Sequence, residues 1–188
     1  MEMVWRFDRN YEVDSVKEST GAETEPTVYI PARSQRGGQD GVTLRVVPRR
    51  GNPWIGHFAF GDPSGQSCTR VLSCPNADEL CIVSSGSGYI VNANDSTRWQ
   101  VVRAIPVRDV QVAMDMRLLI FADFTKLVAY DEAGLKWESP RLSSDGIERF
   151  EVTFREATIV GWSAAEQRKR RVTVDLATGT IVDDRPAE

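Results

Sequence analysis

The sequence predicts an all-β chain of antiparallel four-stranded meanders, and three observations carry that prediction. Val110, Val112, Met114, Met116 and Leu118 alternate with Gln111, Ala113, Asp115 and Arg117. A period of two places the first set on one face of a strand. Leu118 to Phe121 and Leu127 to Tyr130 are compact apolar runs, with Phe124-Thr125-Lys126 between them as a hairpin connection. Asp131-Glu132-Ala133-Gly134 then turns the chain, using a glycine that takes positive φ cheaply, into an outer strand, Leu135-Lys136-Trp137.

Taken in order, Met3 to Phe7 alternates weakly and reads as an edge strand suited to completing the last unit. Glu12 to Glu25 is polar and acidic and reads as loop. Thr27 to Ile30 is a β-branched and aromatic strand stopped by Pro31, and Ser34 to Gly41 has the glycine content of a mobile surface loop. Residues 1–41 are therefore expected to be an irregular segment. Val42 to Val46 resumes as strand, Pro48 to Pro53 turns, and Trp54 to Phe60 is strand again. Ala164 to Arg171 is the best helix candidate, inside a hairpin; helix overall should fall well below about a third of residues.

The pattern repeats. With a shift of 38 residues Leu80 falls on Leu118, Ile82 on Ile120, Val83 on Phe121, Ile90 on Val128 and Trp99 on Trp137. A third copy runs from Ala157 to Trp162 and from Arg170 to Asp175, then through Thr178-Gly179, with Val182 near the outer-strand tryptophan position. His57 to Gly65 repeats the strand-then-turn idea, with Asp62 and Gly65 spaced as Asp131 and Gly134 are. Units are expected at about 42–75, 76–104, 105–141 and 142–184, within a single domain 1–188. The period lies near the ~40–50 residues of propeller repeats; another antiparallel sandwich or barrel is the alternative architecture.

The phrases LVAYDEAGLKWES and VTVDLATGTIVDD resemble the repeat of quinoprotein-type (PQQ-like) β-propellers: strand, aspartate, turn, Thr-Gly, then a tryptophan-bearing outer strand. The likeness covers about residues 57–184. It implies blade-like meanders, three or four in number, with Trp99 and Trp137 as equivalent structural residues packed on neighbouring blades. Quinoprotein enzymes would add adjacent cysteines and calcium ligands from many blades, which this sequence lacks, so no cofactor and no metal are expected. An incomplete ring exposes end faces. The first sixty residues should then supply a fourth blade, or the chain should form a homo-oligomer.

Hydrophobic residues make up 41% and charged residues 27%, the balance of a soluble globular chain. A net charge of −4 argues against general nucleic-acid or anionic-membrane binding. There is no apolar run of membrane-helix length, and Met1 to Asp14 has no signal-peptide pattern, so a cytoplasmic location is expected. Cys68, Cys74 and Cys81 have neither disulfide-framework nor zinc spacing, and buried reduced thiols are expected; a Cys68–Cys74 bridge is the alternative.

Few residues point to chemistry. His57 is the only histidine, so any Ser-His or Cys-His mechanism must use it. Ser64 in GDPSG does not fit a nucleophile elbow. SSGSG, Ser84 to Gly88, lacks the lysine and helix of a phosphate loop and reads as a hairpin turn. Asn94-Asp95-Ser96 is formally a glycosylation acceptor. Asp115, Asp123, Asp131, Asp175 and Asp183 recur at turns, where aspartate bonds its own backbone. Arg168, Lys169, Arg170 and Arg171 form the one basic cluster, a candidate anionic-contact patch. The expected function is a non-catalytic protein-interaction module, of the class that includes immunity and assembly factors. The alternative is a small hydrolase or lyase using turn carboxylates or His57.

Overall fold

The computed structural model describes residues 1–16, 25–62 and 67–187. Their contacts divide the chain into two compact units, Met1–Val102 and Arg103–Glu188, where the sequence suggested one domain. The first unit contains β1 (Glu2–Val4), β2 (Tyr11–Ser15), β3 (Thr27–Ile30), a helical turn α1 (Ser34–Gly37), β4 (Gly41–Pro48), β5 (Trp54–Ala59), β6 (Arg70–Ser73), β7 (Glu79–Ser84), β8 (Ser87–Asn92) and β9 (Asp95–Val101). The second contains β10 (Asp109–Ala113), β11 (Leu118–Ala122), β12 (Leu127–Asp131), β13 (Gly134–Glu138), β14 (Ile147–Val152), β15 (Glu156–Ser163), β16 (Arg168–Asp175) and β17 (Ile181–Pro186). The fold is all-β and built of blade-like meanders. In the second unit the orders β10-β11-β12-β13 and β14-β15-β16-β17 are uninterrupted antiparallel meanders.

In the first unit one sheet has the order β2-β4-β5-β3 and the other β1-β6-β7-β8-β9. Alternation along β4 buries Val42, Leu44 and Val46, which pack with Val71, Leu80, Ile82 and Val91 of the facing sheet. The second unit repeats the arrangement: Leu118, Ile120, Leu127 and Ala129 pack with Phe150, Ile159, Val172 and Val174. β11 is buried at every position and β7 from Leu80 to Ser84. A strand buried on both faces reads as a continuous apolar run, which explains the compact runs at those places.

A tryptophan joins the two sheets within each unit. The Trp54 indole Nε1 donates to Ala93 O at 2.9 Å, and Trp137 Nε1 donates to Leu176 O at 2.8 Å, in each case across 39 residues of chain. Both carbonyls lie inside an Asx turn, on the residue after the Asn or Asp that closes it. Asn92 Oδ1 accepts from the N–H groups of Asn94 and Asp95, and Asp175 Oδ1 from those of Ala177 and Thr178. Gly179, at φ +74°, lies so close under the Trp137 ring that a Cβ there would sit 2.7 Å from ring carbon. The turn therefore needs glycine for its conformation and for its proximity to the indole.

Several expectations are corrected. Residues 1–41 are not irregular throughout, since β1, β2 and β3 lie there. β1 pairs in parallel with β6 of the second sheet instead of completing the last unit. Residues 17–24 of the acidic loop, together with Ser64 and Gly65, lie outside the described residues. The expected loop at Ser34 begins with a helical turn, capped by Gly38 at φ +57°. Arg70 to Ser73 opens the second sheet, so the first boundary falls earlier than 75, because β6 pairs with β7. The alternation from Val110 to Leu118 is broken: Arg117 N donates to Met114 O, Arg117 takes φ +51°, and the chain reverses before Leu118. The helix candidate Ala164 to Arg171 is instead a turn and the start of β16, paired from Ser163↔Arg168 onward.

Candidate functional site

Residues opposite one another in an antiparallel sheet share a face. Across the last sheet Arg149 pairs with Val160, Val160 with Arg171, and Arg171 with Arg185, so three arginines stand in one row. The opposite face carries Phe150, Ile159 and Val172 into the core. The basic cluster at 168–171 is thereby split. Arg168 and Arg170 both ion-pair with Glu166, and Arg170 also holds Asp184 at 2.7 Å. Lys169 Nζ lies 2.7 Å from Glu148, and Arg185 lies 3.2 Å from Asp183. Among the described residues Arg149 and Arg171 have no ion-pair or hydrogen-bond partner for their guanidinium groups. They flank a recess of about 200 Å³ completed by Glu148, Val160, Lys169 and Ala187. Arg171 and Arg185 are directly opposite, a like-charge pairing that costs free energy, and an anion in the recess between Arg149 and Arg171 would meet both cations across Val160. Arg149 was missed in the sequence because a bulge between Ile147 and Arg149 sets its register.

The other candidates are occupied by structural roles. His57 Nε2 lies 2.9 Å from Gln39 O, which can only accept, so that nitrogen carries a proton. Its Nδ1 lies 3.0 Å from Thr43 Oγ1 on β4, and the ring stands beside Tyr29 on β3, so His57 ties together neighbouring strands. Asp123 Oδ1 accepts from the N–H groups of Thr125 at 2.6 Å and Lys126 at 2.8 Å, and Asp131 from Ala133 at 2.9 Å. Asp115 lies in the Met114–Arg117 turn and Asp183 beside Arg185. Ser85 and Gly86, at φ +44° and +83°, form a two-residue turn between Ser84 and Ser87, the hairpin expected of SSGSG. Asp95, within the formal glycosylation acceptor, opens β9 and accepts from Thr97.

Cys68, Cys74 and Cys81 are thiols outside any disulfide, and the last two are buried. Burial pushes the thiols of Cys74 and Cys81 well above the ordinary range, so both stay protonated. Trp99 and Trp137 pair with Val91 and Ala129, the same register position, yet their surroundings differ. Trp137 is 8% exposed and hydrogen-bonded, whereas Trp99 is 36% exposed and meets the edge of Tyr89 at 6.3 Å. The expected equivalence of environment does not hold. Trp54 takes the matching role. In the last sheet Asp183, opposite Thr173, takes the tryptophan position expected near Val182.

The first unit holds larger recesses that the sequence did not mark. One of about 450 Å³ is lined by Arg9, Asn10, Glu12, Val47 and Arg49, among others, and one of about 380 Å³ by Asn10, Arg49, Arg50, Asp78 and Asn94. The signal was present as the Arg49-Arg50 pair between Pro48 and Gly51, but read only as a turn. Among the described residues no group of three or more histidine, cysteine or acidic side chains is arranged to hold a metal. No helix among them is long and apolar enough to cross a membrane.

No protein-family model matches the sequence, and no curated protein matches it significantly. Solved structures do. The Cps50 (Swd1) β-propeller domain of Myceliophteria thermophila is 10% identical, with TM-score 0.44 over 79% of this chain and 54% of that one. The N-terminal domain of Nup159 is 9% identical, with TM-score 0.43 over 96% and 52%. A chain from the S. cerevisiae Dbp5 complex with Nup159 and Gle1 is 8% identical, with TM-score 0.45 over 100% and 55%. The chain spans about half the length of each of these structures.

Proposed function

We propose that this protein is a non-catalytic protein-interaction module whose β scaffold presents charged surface to a protein partner. The observation that carries this is the division of labour among its polar groups. His57 and the turn aspartates 123, 131 and 175 are engaged by the backbone or side chains of their own sheets, while Arg149 and Arg171 have no ion-pair partner among the described residues. The anion-contact surface is therefore Arg149 with Arg171, not the run 168–171. On this proposal the blades are of the quinoprotein type, which the Trp137 indole over Gly179 and on Leu176 O supports, and an immunity or assembly role fits the same class.

The test is affinity capture from the source organism with the wild-type chain and with R149E/R171E. We expect one protein to be retained stoichiometrically by the wild type and lost by the variant, with both folded by circular dichroism. Equal retention by both would remove this surface. Turnover of an ester or glycoside substrate that is abolished in H57Q would replace the proposal with an enzymatic one.

A further inference from the structure

We infer that the two adjoining recesses of the first unit form one groove for an acidic peptide segment of a partner protein. The inference deepens the interaction proposal and rests on it, but it names a different surface. The recesses, about 450 and 380 Å³, share Asn10 and Arg49 in their walls, so together they make a track longer than a single ion needs. The floor is tied down by two backbone bonds and one between side chains. Asn10 N donates to Ala77 O at 2.8 Å, Arg49 N donates to Asn10 O at 2.7 Å, and Asn10 Nδ2 donates to Asp78 Oδ1 at 2.9 Å. A preformed groove orders less of itself on binding.

Its cations differ in freedom. Arg9 is spent partly on its own scaffold, donating to Tyr11 O at 2.9 Å with its guanidinium 4.4 Å from the Trp5 ring centre. Arg49 and Arg50 are exposed, and among the described residues neither guanidinium has a partner. They follow the last residue of β4 and precede Gly51 at φ +124°, so the turn itself projects two adjacent guanidinium groups. Guanidinium groups bind carboxylates bidentately.

The remaining lining decides between anionic partners. Glu12 and Asp78 would repel a polymer charged at every step, such as a nucleic acid, and the chain's net charge of −4 adds to that repulsion. A peptide with spaced carboxylates avoids them. Its amide groups suit the side-chain amide of Asn94 and the carboxylates of the wall.

The probes are a short fluorescein-labelled peptide alternating glutamate and serine, its lysine–serine counterpart, and labelled oligo-dT, read by anisotropy on the full chain. We expect the glutamate peptide to bind, the lysine peptide not to, and R49E/R50E to weaken binding by about tenfold or more. R155E, a charge reversal in the second unit, should leave binding unchanged. Oligo-dT bound more tightly than the peptide, and lost in R49E/R50E, would assign the groove to nucleic acid and overturn the inference. Peptide binding lost in R149E/R171E but kept in R49E/R50E would also overturn it, while leaving the interaction proposal standing. No binding of the glutamate peptide at all would overturn it too.

Discussion

Trp99 pairs with Val91 and Trp137 with Ala129, each beside a bulge in the strand next to it, and 38 residues separate both members of the comparison. One indole is buried, hydrogen-bonded and packed over a glycine; the other is more than a third exposed. Equal register has not produced equal environment. What Trp137 shares with Trp54 is a carbonyl acceptor inside an Asx turn, one residue after the Asn or Asp, in the neighbouring sheet of its own unit. A repeat therefore specifies where a side chain emerges, and the partner surface decides what it contributes.

The largest effect should come from truncating the bonded indoles. W54A and W137A should each cost about 3–5 kcal/mol, because a buried ring is lost and its acceptor carbonyl stranded. W99A should cost about 1 kcal/mol, the scale of its edge contact with Tyr89. Urea melts of the three variants compare them directly, and equal losses for Trp99 and Trp137 would erase the distinction. G179A comes next, at about 1–3 kcal/mol, since it adds both positive-φ strain and a clash with the Trp137 ring. A double-mutant cycle with W137A should show the two effects to be non-additive, and additivity would mean that the ring does not rest on that turn.

Turn aspartates should rank by the bonds they accept. D175A, which strips acceptors from two backbone N–H groups, should cost about 1 kcal/mol; D131A, with one such bond, should cost less. Thermal melts of the pair would show whether the order is reversed.

The smallest effect separates Glu138 from Gln100, its counterpart at the 38-residue shift. Hydrogen bonds from Lys126 first, then Arg103, hold the Glu138 carboxyl below its usual range. A depressed folded pKa contributes stability that is present above the unfolded value of about 4.3 and lost as pH falls through the folded value. E138Q should therefore be less stable than wild type by up to about 1 kcal/mol at neutral pH, and the gap should close in acid. A gap that widens on acidification would reverse the assigned sign.

Local chemistry was the legible part of this chain. The runs at Leu80 and Leu118 became β7 and β11, Thr125 and Lys126 close on Asp123, and the strands of the third copy, Ala157 to Trp162 and Arg170 to Asp175, pair as a hairpin. What escaped was long-range. The parallel pairings β1–β6 and β3–β5 have no adjoining turn to announce them. Arg149 meets the row of Arg171 only through a bulge, and Trp54 finds Ala93 across 39 residues. Alternation also overran at Met114, since a period of two cannot show where a chain reverses. The basic run 168–171 misled for a related reason: successive strand residues point to opposite faces, so four neighbours in sequence became two pairs in space.

Indole hydrogen exchange tests the central distinction most directly. Each of the five tryptophans carries one indole Nε1–H, which a two-dimensional ¹⁵N spectrum reads, and transfer to deuterated buffer dates the opening of each. The hydrogen bonds to Ala93 and Leu176 predict slow exchange for Trp54 and Trp137, close to the rate of global unfolding, with Trp99 lost first. Protection of Trp99 equal to that of Trp137, or Trp137 exchanging as fast as Trp99, would contradict the account.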